Sequence, residues 1–469
     1  MKWLLTLSLI LMVLLAGPVR AQDTTVVETF GPFGTVHVYV PTGEPKQVVL
    51  FASGDGGWNL GVLDMARALR DSGAMVIGFS TPHYLRSLDR SKKKCGYPAG
   101  DLEALSQYMQ KKHRLVTYHP PMLVGYSSGA TLAYAGLAQA PGGTFIGGIS
   151  LGFSNDLAVT RPLCPGSGLK SQKSADGKEY DLDPTPLPVP WIALQGTIDL
   201  DVSPAATDAF VRKVANAQVV TLPHVGHGFS VEHNWMPQYL QAYHDIAHQG
   251  VIRQPPPAPV SLDDLPAIEV PAEHPKGDAL AIILSGDGGW VSIDKDLGHT
   301  LSRAGIPVVG FNSLHYFWKA RKADEMANDL ARIIDHYTAA WRRQRIILVG
   351  YSRGADVLPF MVSRLPEALR RHINLVALLG PGHKTSFEFH VTDWLSNANH
   401  GTDQPLAPEM GKLRDVDILC IYGEHDKDNL CPDLSHQHNV SVMKTGGGHH
   451  FGGDYDHIAN AILAAAQRQ

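Results

Sequence analysis

The sequence predicts two tandem α/β domains, each with a mainly parallel β-sheet flanked by helices. A whole unit is repeated along the chain, short apolar segments alternate with helical patterns in each copy, and 469 residues are too many for one hydrophobic core. The composition is that of a globular protein, with 44% apolar and 18% charged residues. The formal net charge of −5 argues against nucleic-acid binding.

The repeat is visible in two motifs that occur once in each half. The hexapeptide SGDGGW begins at Ser53 and again at Ser285, and the tetrapeptide VGYS ends at Ser127 and again at Ser352. The two separations are 232 and 225 residues. Because this spacing stays nearly constant, the sequence indicates tandem duplication of a complete domain.

Each copy contains six short apolar segments that we predict to be strands. They are apolar throughout, which is typical of strands covered on both faces. Between the first two segments of the second copy, Ile293, Leu297 and Leu301 recur at four-residue spacing and predict a helix. Strand–helix alternation implies a parallel sheet with right-handed crossovers. The predicted strands are 47–52, 75–79, 122–126, 146–151, 191–195 and 218–222, then 279–284, 306–311, 346–351, 374–379, 418–422 and 439–443.

The N-terminal residues 1–21 have the features of a secretory signal peptide. An early lysine, an apolar stretch from Trp3 to Ala16 and a small residue at Ala21 fit cleavage by signal peptidase. An uncleaved membrane anchor is the alternative. We therefore expect the mature protein to be exported.

A proline-rich segment separates the two copies. Three consecutive prolines at 255–257 favour an extended, semi-rigid connector. The predicted organisation is a first domain at 22–250, a linker at 251–269 and a second domain at 270–469.

The four cysteines divide evenly between the copies, with Cys95 and Cys164 in the first and Cys420 and Cys431 in the second. Export to an oxidising compartment favours one disulfide bond within each copy. Four free buried thiols are the alternative.

Both copies contain the pentapeptide G-x-S-x-G between a predicted strand and a predicted helix. In this context the motif is typical of a nucleophile elbow, in which the glycines allow a sharp turn that exposes the serine. The candidate nucleophiles are Ser127 and Ser352. An ordinary glycine-serine turn is the alternative for the pentapeptide alone.

An acid and a histidine follow each serine in the chain order of α/β-hydrolases. Asp199 and Asp426 stand three residues after the glycine that follows the fifth apolar segment. His227 and His449 come after the sixth segment. Each would lie at the carboxyl end of a strand, where the members of a Ser-His-Asp triad meet. Taken singly, either loop aspartate could instead cap a helix or form a turn.

Two other patterns compete with this interpretation. Asp201 and Asp428 stand two residues after the proposed acids and could replace them. His449, His450 and His457 could be metal ligands, but the first copy has no matching cluster. We therefore expect neither a metal ion nor a cofactor.

The triad roles follow from the path of the proton. The imidazole takes the serine proton, and the carboxylate fixes the imidazole tautomer and stabilises its cation. Backbone N–H groups then stabilise the oxyanion. We predict these donors at the residue after the nucleophile, Ser128 or Arg353, and in the glycine-rich loop at Asp55–Gly56 or Asp287–Gly288. A tight turn without a catalytic role is the alternative for this loop.

The second copy resembles the AcvB/VirJ family of bacterial virulence proteins, and the whole chain resembles its longer members, which carry a VirJ-like C-terminal domain. The resemblance rests on SGDGGW, GFNSLHYFWKAR, VGYSRGADVLPF, FEFHVTDWL and CIYGEHDKDNLCP, which cover most of 280–432. It implies an α/β-hydrolase fold, a periplasmic location and a serine nucleophile at Ser352. It also implies hydrolysis of aminoacylated phosphatidylglycerol, as the lysyl or alanyl ester. A further association with type IV secretion implies possible secreted-protein partners.

Four side chains of the second copy are predicted to bind the substrate. Arg353 could pair with a lipid phosphate, with a surface salt bridge as the alternative. Trp290, Tyr316 and Trp318 are aromatic candidates for the pocket, with a place in the core as the alternative.

The sequence thus predicts a periplasmic serine esterase that acts on aminoacyl-phosphatidylglycerol at the membrane surface. We expect the second copy to carry the main activity, because the first lacks its Phe-Trp pair and has a polar, flexible insertion at 164–188. The first copy is then a second hydrolase or a binding module. A non-catalytic adaptor for secreted proteins and an esterase for small soluble esters are the rival functions.

Overall fold

The computed structural model describes residues 25–252, 262–291, 293–389 and 403–467. The predicted signal peptide lies outside these ranges, and so does the central part of the predicted linker. No helix among the described residues is both long enough and apolar enough to cross a membrane.

The first copy forms one large twisted sheet and one small sheet. Its strands are β1 (Thr25–Phe30), β2 (Gly34–Tyr39), β3 (Gln47–Ala52), β4 (Ala74–Phe79), β5 (Met122–Tyr126), β6 (Gly147–Leu151), β7 (Asp156–Leu157), β8 (Ser171–Lys173), β9 (Tyr180–Leu182), β10 (Trp191–Gly196) and β11 (Ala217–Leu222). The large sheet has the order β1-β2-β4-β3-β5-β6-β10-β11, and the small antiparallel sheet has the order β7-β9-β8.

The six predicted strands of this copy are confirmed as β3, β4, β5, β6, β10 and β11, which pair in parallel. The helices are α1 (Leu60–Asp71), α2 (Thr81–Arg90), α3 (Pro98–Lys112), α4 (Ser128–Gln139), α5 (Pro204–Val211) and α6 (Met236–Ile252), with 3-10 turns at Gly31–Phe33 and Glu232–Asn234.

The second copy repeats this plan without the outermost edge strand in the described part of the chain. Its strands are β12 (Ala267–Val270), β13 (Ala279–Leu284), β14 (Val308–Phe311), β15 (Arg345–Tyr351), β16 (Ile373–Leu379), β17 (Lys384–Thr385), β18 (Gln404–Pro405), β19 (Ile418–Gly423) and β20 (Val440–Thr445). The large sheet has the order β12-β14-β13-β15-β16-β19-β20, and β17 pairs with β18. The predicted strands are confirmed as β13, β14, β15, β16, β19 and β20.

Seven helices accompany this sheet among the described residues. They are α7 (Ile293–Arg303), α8 (Ser313–Tyr316), α9 (Ala323–Trp341), α10 (Arg353–Val362), α11 (Glu367–Arg370), α12 (Ala407–Met410) and α13 (Tyr455–Ala466), with 3-10 turns at Cys431–Leu434 and Phe451–Gly453. The helix predicted from the spacing of Ile293, Leu297 and Leu301 is α7, and all three side chains are buried.

Both faces of each sheet are covered, which explains why the central strands are apolar throughout. In β3, Val48 and Leu50 pack on the side of α3 and α4, whereas Val49 and Phe51 pack on the side of α1 and α6. The second sheet is covered in the same way, by α9 and α10 on one face and α7 and α13 on the other. Each copy is therefore a three-layer α/β domain.

The connector between the copies is shorter than the predicted linker at 251–269. Helix α6 runs to Ile252, and β12 begins at Ala267, where it pairs antiparallel with β14. Leu262 and Leu265 are also buried in the core of the second copy. These apolar side chains explain the difference, because they extend the second domain towards the N-terminus.

The insertion at 164–188 is not the flexible segment that we expected. It contains β8 and β9, which pair with each other and with β7. Its Leu169, Leu182 and Leu187 side chains are buried in the core of the first copy. A few leucines within a polar segment are enough to hold it against the domain.

Each copy has one disulfide bond. Cys95 is bonded to Cys164, and Cys420 to Cys431. The second bond joins two cysteines that are 11 residues apart, and it closes a loop that contains Asp426.

The two copies are in direct contact. The Trp318 indole N–H donates to the Leu115 carbonyl at 2.9 Å, and its ring packs against Tyr118 with 5.3 Å between ring centroids. Lys111 pairs with Glu388 at 3.0 Å. On another side, Lys295 Nζ donates to a carbonyl oxygen of the first copy at 2.6 Å.

Candidate active site

Both candidate nucleophiles lie in a sharp turn between a strand and a helix. Ser127 joins β5 to α4 with φ 55° and ψ −124°, and Ser352 joins β15 to α10 with φ 52° and ψ −118°. A positive φ is unfavourable for a residue with a side chain, so this backbone is held in place by its surroundings. This is the geometry of a nucleophile elbow.

The glycines of G-x-S-x-G are required by close backbone contacts. A Cβ atom on Gly125 would lie 1.9 Å from the Gly129 carbonyl oxygen, and one on Gly129 would lie 2.2 Å from the Ala52 carbonyl oxygen. The second copy has equivalent contacts at Gly350 and Gly354. The motif therefore lets the strand, the turn and the next helix approach closely enough to expose the serine.

The structure brings together a complete triad in the first copy. Ser127 Oγ lies 3.1 Å from His227 Nε2, and His227 Nδ1 lies 2.9 Å from Asp199 Oδ2. The other carboxylate oxygen of Asp199 accepts the N–H groups of Asp201 at 3.0 Å and Val202 at 2.9 Å. Asp199 is buried, so the acid is fixed towards the imidazole. The arrangement can pass a proton from serine to histidine.

The triad of the second copy is only partly assembled. His449 Nδ1 lies 2.7 Å from Asp426 Oδ2, but among the described residues Ser352 Oγ makes no hydrogen bond to the His449 ring. The side chain of His449 is 38% exposed, compared with 16% for His227. The first copy therefore has the more completely assembled triad, but catalytic hydrogen bonds often tighten only when substrate binds, and which copy carries the main activity stays a prediction.

The alternative acids and the alternative metal site have other roles in the structure. Asp201 contributes its backbone N–H to Asp199, and Asp428 Oδ1 bonds His383 Nδ1 at 2.7 Å. His450 Nδ1 lies 2.9 Å from the Tyr351 hydroxyl. In the part of the chain that the structure describes, no three His, Cys, Asp or Glu side chains are grouped as metal ligands.

The SGDGGW loop of the first copy contacts the nucleophile. A Cβ atom on Gly54 would lie 3.2 Å from Ser127 Cβ, and the Gly57 N–H closes the turn onto the Gly54 carbonyl at 3.0 Å. The predicted oxyanion donors at Asp55–Gly56 and Ser128 thus lie in the two segments next to the serine. Ser128 begins α4, so its N–H has no acceptor within that helix. Donation to an oxyanion stays a prediction.

The second copy has the same loop placement, because a Cβ atom on Gly286 would lie 3.3 Å from Ser352 Cβ. The predicted donors at Asp287–Gly288 and Arg353 therefore occupy the equivalent positions. The side chains differ, however, because the Asp287 carboxylate pairs with the Arg353 guanidinium.

The prediction that Arg353 binds a lipid phosphate is not supported. Its side chain is only 7% exposed, and besides Asp287 it donates to the Ser386 carbonyl at 2.8 Å. It is a buried ion pair and not the surface salt bridge that we considered as the alternative. Because the first turn of α10 points this side chain at the loop of its own domain, the charge is already neutralised.

The three predicted substrate-binding aromatics are structural. The Trp290 ring covers Gly310, where a Cβ atom would lie 2.7 Å from it. The Tyr316 hydroxyl donates to Asp329 at 2.5 Å and is buried. Trp318 lies in the contact between the copies. They therefore belong to the core and to this contact.

A comparison of the two copies could have indicated these structural roles from the sequence. In the first copy, Trp58 covers Gly78 as Trp290 covers Gly310, and the Tyr84 hydroxyl donates to Asp101 at 2.8 Å as Tyr316 does to its own aspartate. An aromatic residue kept in both copies together with its partner indicates packing.

A cavity of about 410 Å³ lies over the triad of the first copy. It is lined by Ser127, His227 and the carboxylates of Asp55, Asp156 and Asp201, among others. A second cavity of about 540 Å³ shares Asp156 and Asp201 with it and extends the space towards β9 and α5. Sequence reasoning missed Asp156, which β7 of the small sheet positions.

One acidic group beside the second site also escaped sequence reasoning. Asp356 lies one helical turn after Ser352, and its Oδ1 accepts the Gly382 N–H at 2.7 Å. Burial raises the pKa of this carboxyl group to about 7, against the opposing effects of that hydrogen bond and of the Arg353 charge. The equivalent residue in the first copy is Thr131, whose hydroxyl donates to the Ser154 carbonyl.

The fold and the two serine-histidine-aspartate arrangements define a serine hydrolase with the α/β-hydrolase fold. In both copies the reactive residues lie at the carboxyl ends of parallel strands, and the acid and the histidine follow the serine in the chain.

The chain belongs to the family described as bacterial virulence protein (VirJ), which matches residues 46–143 and 278–469. The first of these ranges contains the SGDGGW loop and Ser127, so the family match includes the nucleophile of both copies. No curated protein matches the chain.

Solved structures similar to the chain each cover about half of it. An α/β serine hydrolase homologue from Coxiella burnetii is 19% identical with a TM-score of 0.31, over 49% of this chain and 98% of that protein. An α/β serine hydrolase without lid from Xanthomonas campestris is 21% identical with a TM-score of 0.31, over 52% and 100%. A dienelactone hydrolase from Anabaena variabilis is 16% identical with a TM-score of 0.33, over 48% and 97%.

Proposed function

We propose that the protein is a periplasmic serine esterase that hydrolyses the aminoacyl ester of aminoacylated phosphatidylglycerol, such as the lysyl or alanyl ester. The products are the free amino acid and phosphatidylglycerol. One observation carries the proposal, namely an assembled triad that opens into a cavity lined by three carboxylates. Membership of the VirJ family supports the lipid substrate, because the family resemblance implies it.

Acylation uses the geometry of the first copy. Ser127 Oγ attacks the ester carbonyl carbon while His227 Nε2 takes the serine proton. The carbonyl oxygen becomes an oxyanion, which the N–H groups predicted at Ser128 and Asp55–Gly56 stabilise. When the intermediate collapses, the bond to the glycerol oxygen breaks. His227 gives its proton to that oxygen, and phosphatidylglycerol leaves.

Deacylation reverses these roles with water as the nucleophile. His227 takes a proton from the water, which attacks the aminoacyl-Ser127 ester. The bond to Ser127 Oγ breaks, the serine regains its proton, and the amino acid leaves. Asp199 accepts the hydrogen bond from His227 Nδ1 and stabilises the imidazolium in both steps.

The charge of the cavity supports an aminoacyl group as the acyl part of the substrate. Such a group carries a protonated amine close to the ester. Asp55, Asp156 and Asp201 line the cavity, and its lining contains no lysine or arginine. All three carboxylates are exposed, so solvent screens the attraction of each for a cation to about 0.2–1 kcal/mol. A cationic acyl group is therefore favoured over an anionic one.

The location and the membrane partner belong to the same proposal. The predicted export signal supports a periplasmic site, and so does a disulfide bond in each copy, because disulfides persist in oxidising compartments. The substrate then lies at the periplasmic membrane surface. Interaction with secreted proteins stays a prediction.

The test compares serine variants of the mature chain. Release of lysine and alanine from the corresponding aminoacyl-phosphatidylglycerols is measured for the parent, Ser127→Ala, Ser352→Ala and the double variant. We expect Ser127→Ala to lower kcat by about 10³-fold or more and Ser352→Ala to have a smaller effect. If the parent releases no amino acid, or the double variant keeps full activity, the esterase proposal fails and the adaptor function gains support.

A further inference from the structure

Three exposed aliphatic side chains lie in the loops that carry the acid and the histidine of the first triad. Among the described residues, six large hydrophobic side chains are exposed, and three of these are in the loops that carry Asp199 and His227. They are Ile198, Leu200 and Val231, with exposed fractions of 56%, 96% and 46%. We call these three residues the apolar rim.

The apolar rim lies on the two loops that supply the acid and the histidine of the first triad. Ile198 and Leu200 flank the triad acid in sequence, and the next residue, Asp201, lines the cavity. The Ile198 N–H donates to the Val225 carbonyl at 3.1 Å, which joins the acid loop to the histidine loop. The bond between Asp199 and His227 joins the same loops beside the nucleophile.

At the three equivalent positions of the described structure, the second copy has no aliphatic side chain, although its loops are equivalent. His425 and Lys427 stand where the first copy has Ile198 and Leu200, and Gly453 stands at the position of Val231. The side chain of His425 is 75% exposed. Aliphatic side chains at these three positions are therefore not needed for the fold of the acid loop.

We propose that the apolar rim inserts into a lipid layer and docks the first active site on a membrane surface. Its three side chains together expose on the order of 300 Å² of apolar surface, well below the roughly 800 Å² per partner that a stable protein interface buries. A few aliphatic side chains on loop tips suit insertion among lipid chains better than a protein–protein contact.

Charge supports insertion rather than electrostatic attraction as the means of docking. The chain has a formal net charge of −5, and the cavity next to the apolar rim is acidic. A membrane rich in anionic lipids would repel this face, so binding must come from apolar burial, which scales with buried area. This proposal rests on the proposed function, because it takes the substrate to be carried by a lipid.

The experiment measures membrane binding without turnover. The mature chain from Gln22 is floated with phosphatidylcholine vesicles, which contain fatty-acyl esters but no aminoacyl ester, at 0.1 and 0.5 M salt. We expect the parent to bind equally at both salt concentrations, since screening does not weaken apolar insertion. We expect the double variant Ile198→Ser/Leu200→Ser to lose about tenfold in its partition coefficient.

Val27→Ser is the matched control, because Val27 is 62% exposed on β1 at the opposite edge of the first sheet. It should bind as the parent does. Melting temperatures of all variants verify that each is folded. The proposal is overturned if the parent does not float with the vesicles, or if the double variant partitions within twofold of the parent. Amino acid release by the serine variants tests the esterase separately, so the two failures are distinguishable.

Discussion

At the scale of single residues, the position after the nucleophile separates the two copies. Where the first copy has Ser128, the Asp55 carboxylate accepts a hydrogen bond from Ser127 Oγ at 3.4 Å. Where the second has Arg353, the equivalent Asp287 pairs with the guanidinium instead. One substitution thus leaves a carboxylate in the first cavity and neutralises its counterpart in the second.

The two aspartates of the first acid loop should respond differently to substitution. Asp199→Asn should lower kcat by about 10⁴-fold, because the wrong imidazole tautomer is then favoured. Asp201→Asn should keep kcat within a fewfold of the parent and raise KM for lysyl-phosphatidylglycerol by about two- to fivefold, because it removes only an exposed charge from the cavity. Steady-state kinetics on mixed micelles separates these outcomes. Equal falls in kcat would contradict the assignment of the acid.

The raised pKa of Asp356 should make the free energy of unfolding depend on pH. Below about pH 4 its carboxyl group is protonated in both the folded and the unfolded chain. Between about pH 4 and pH 7 the unfolded chain releases this proton and the folded chain retains it, so the free energy of unfolding falls as pH rises. Because asparagine does not titrate, Asp356→Asn removes this fall in the free energy of unfolding. Its melting temperature relative to the parent should therefore increase from pH 4.5 to pH 7.5, and a constant difference would contradict the burial argument.

At the scale of elements, the elbow glycines offer a clean test of close packing. Gly129→Ala places a Cβ atom 2.2 Å from the Ala52 carbonyl oxygen, so β3 and α4 must separate. We expect the free energy of unfolding to fall by about 2–3 kcal/mol. Chemical denaturation followed by circular dichroism measures this change.

Gly61→Ala in α1 is the matched control, because nothing lies within 4 Å of the new Cβ atom. Alanine there should be neutral or stabilise the protein by up to about 1 kcal/mol, as expected from helix propensity. A similar loss in both variants would show that the Gly129 effect does not come from the contact with β3.

The sequence predicted those elements whose burial leaves a pattern in the chain. The central strands are apolar on both faces, so β3 and β13 could be recognised without the structure. The antiparallel edge strands β1 and β12 are covered less completely and show no such segment. The small sheet of the first copy depends on a few leucines brought together by the fold, which no local pattern reveals.

Some residues of the candidate site could likewise be predicted from the sequence, and others could not. The order of serine, aspartate and histidine identified residues that the fold then places together in the first copy, because strand ends are fixed by topology. The aromatic residues were misassigned because a tryptophan that lines a pocket and one that covers a glycine have the same sequence pattern. Asp156 reaches the cavity from a separate sheet, so its role could not be read from spacing.

At the scale of the whole molecule, we expect the two copies to unfold together, because Trp318 of the second copy packs against the first. Trp318→Ala removes the bond to the Leu115 carbonyl and the ring contact with Tyr118, and it should cost about 3–5 kcal/mol. Differential scanning calorimetry should show one transition in the parent and two in the variant.

Tyr118→Phe serves as the control for this experiment. The substitution removes only the buried hydroxyl group and keeps the ring that packs against Trp318. This variant should retain a single transition. Two transitions in the parent would show that the contact does not couple the copies.

The contact made by Trp318 also bears on how the duplicated gene can evolve. A tandem duplication ordinarily leaves copies that recombination or a premature stop codon can separate again without harm to either. Here, deletion of the first copy would leave the second with a tryptophan N–H deprived of its acceptor and an apolar surface open to water. Selection against misfolding would then retain both halves, even during periods when only one of them turns over substrate.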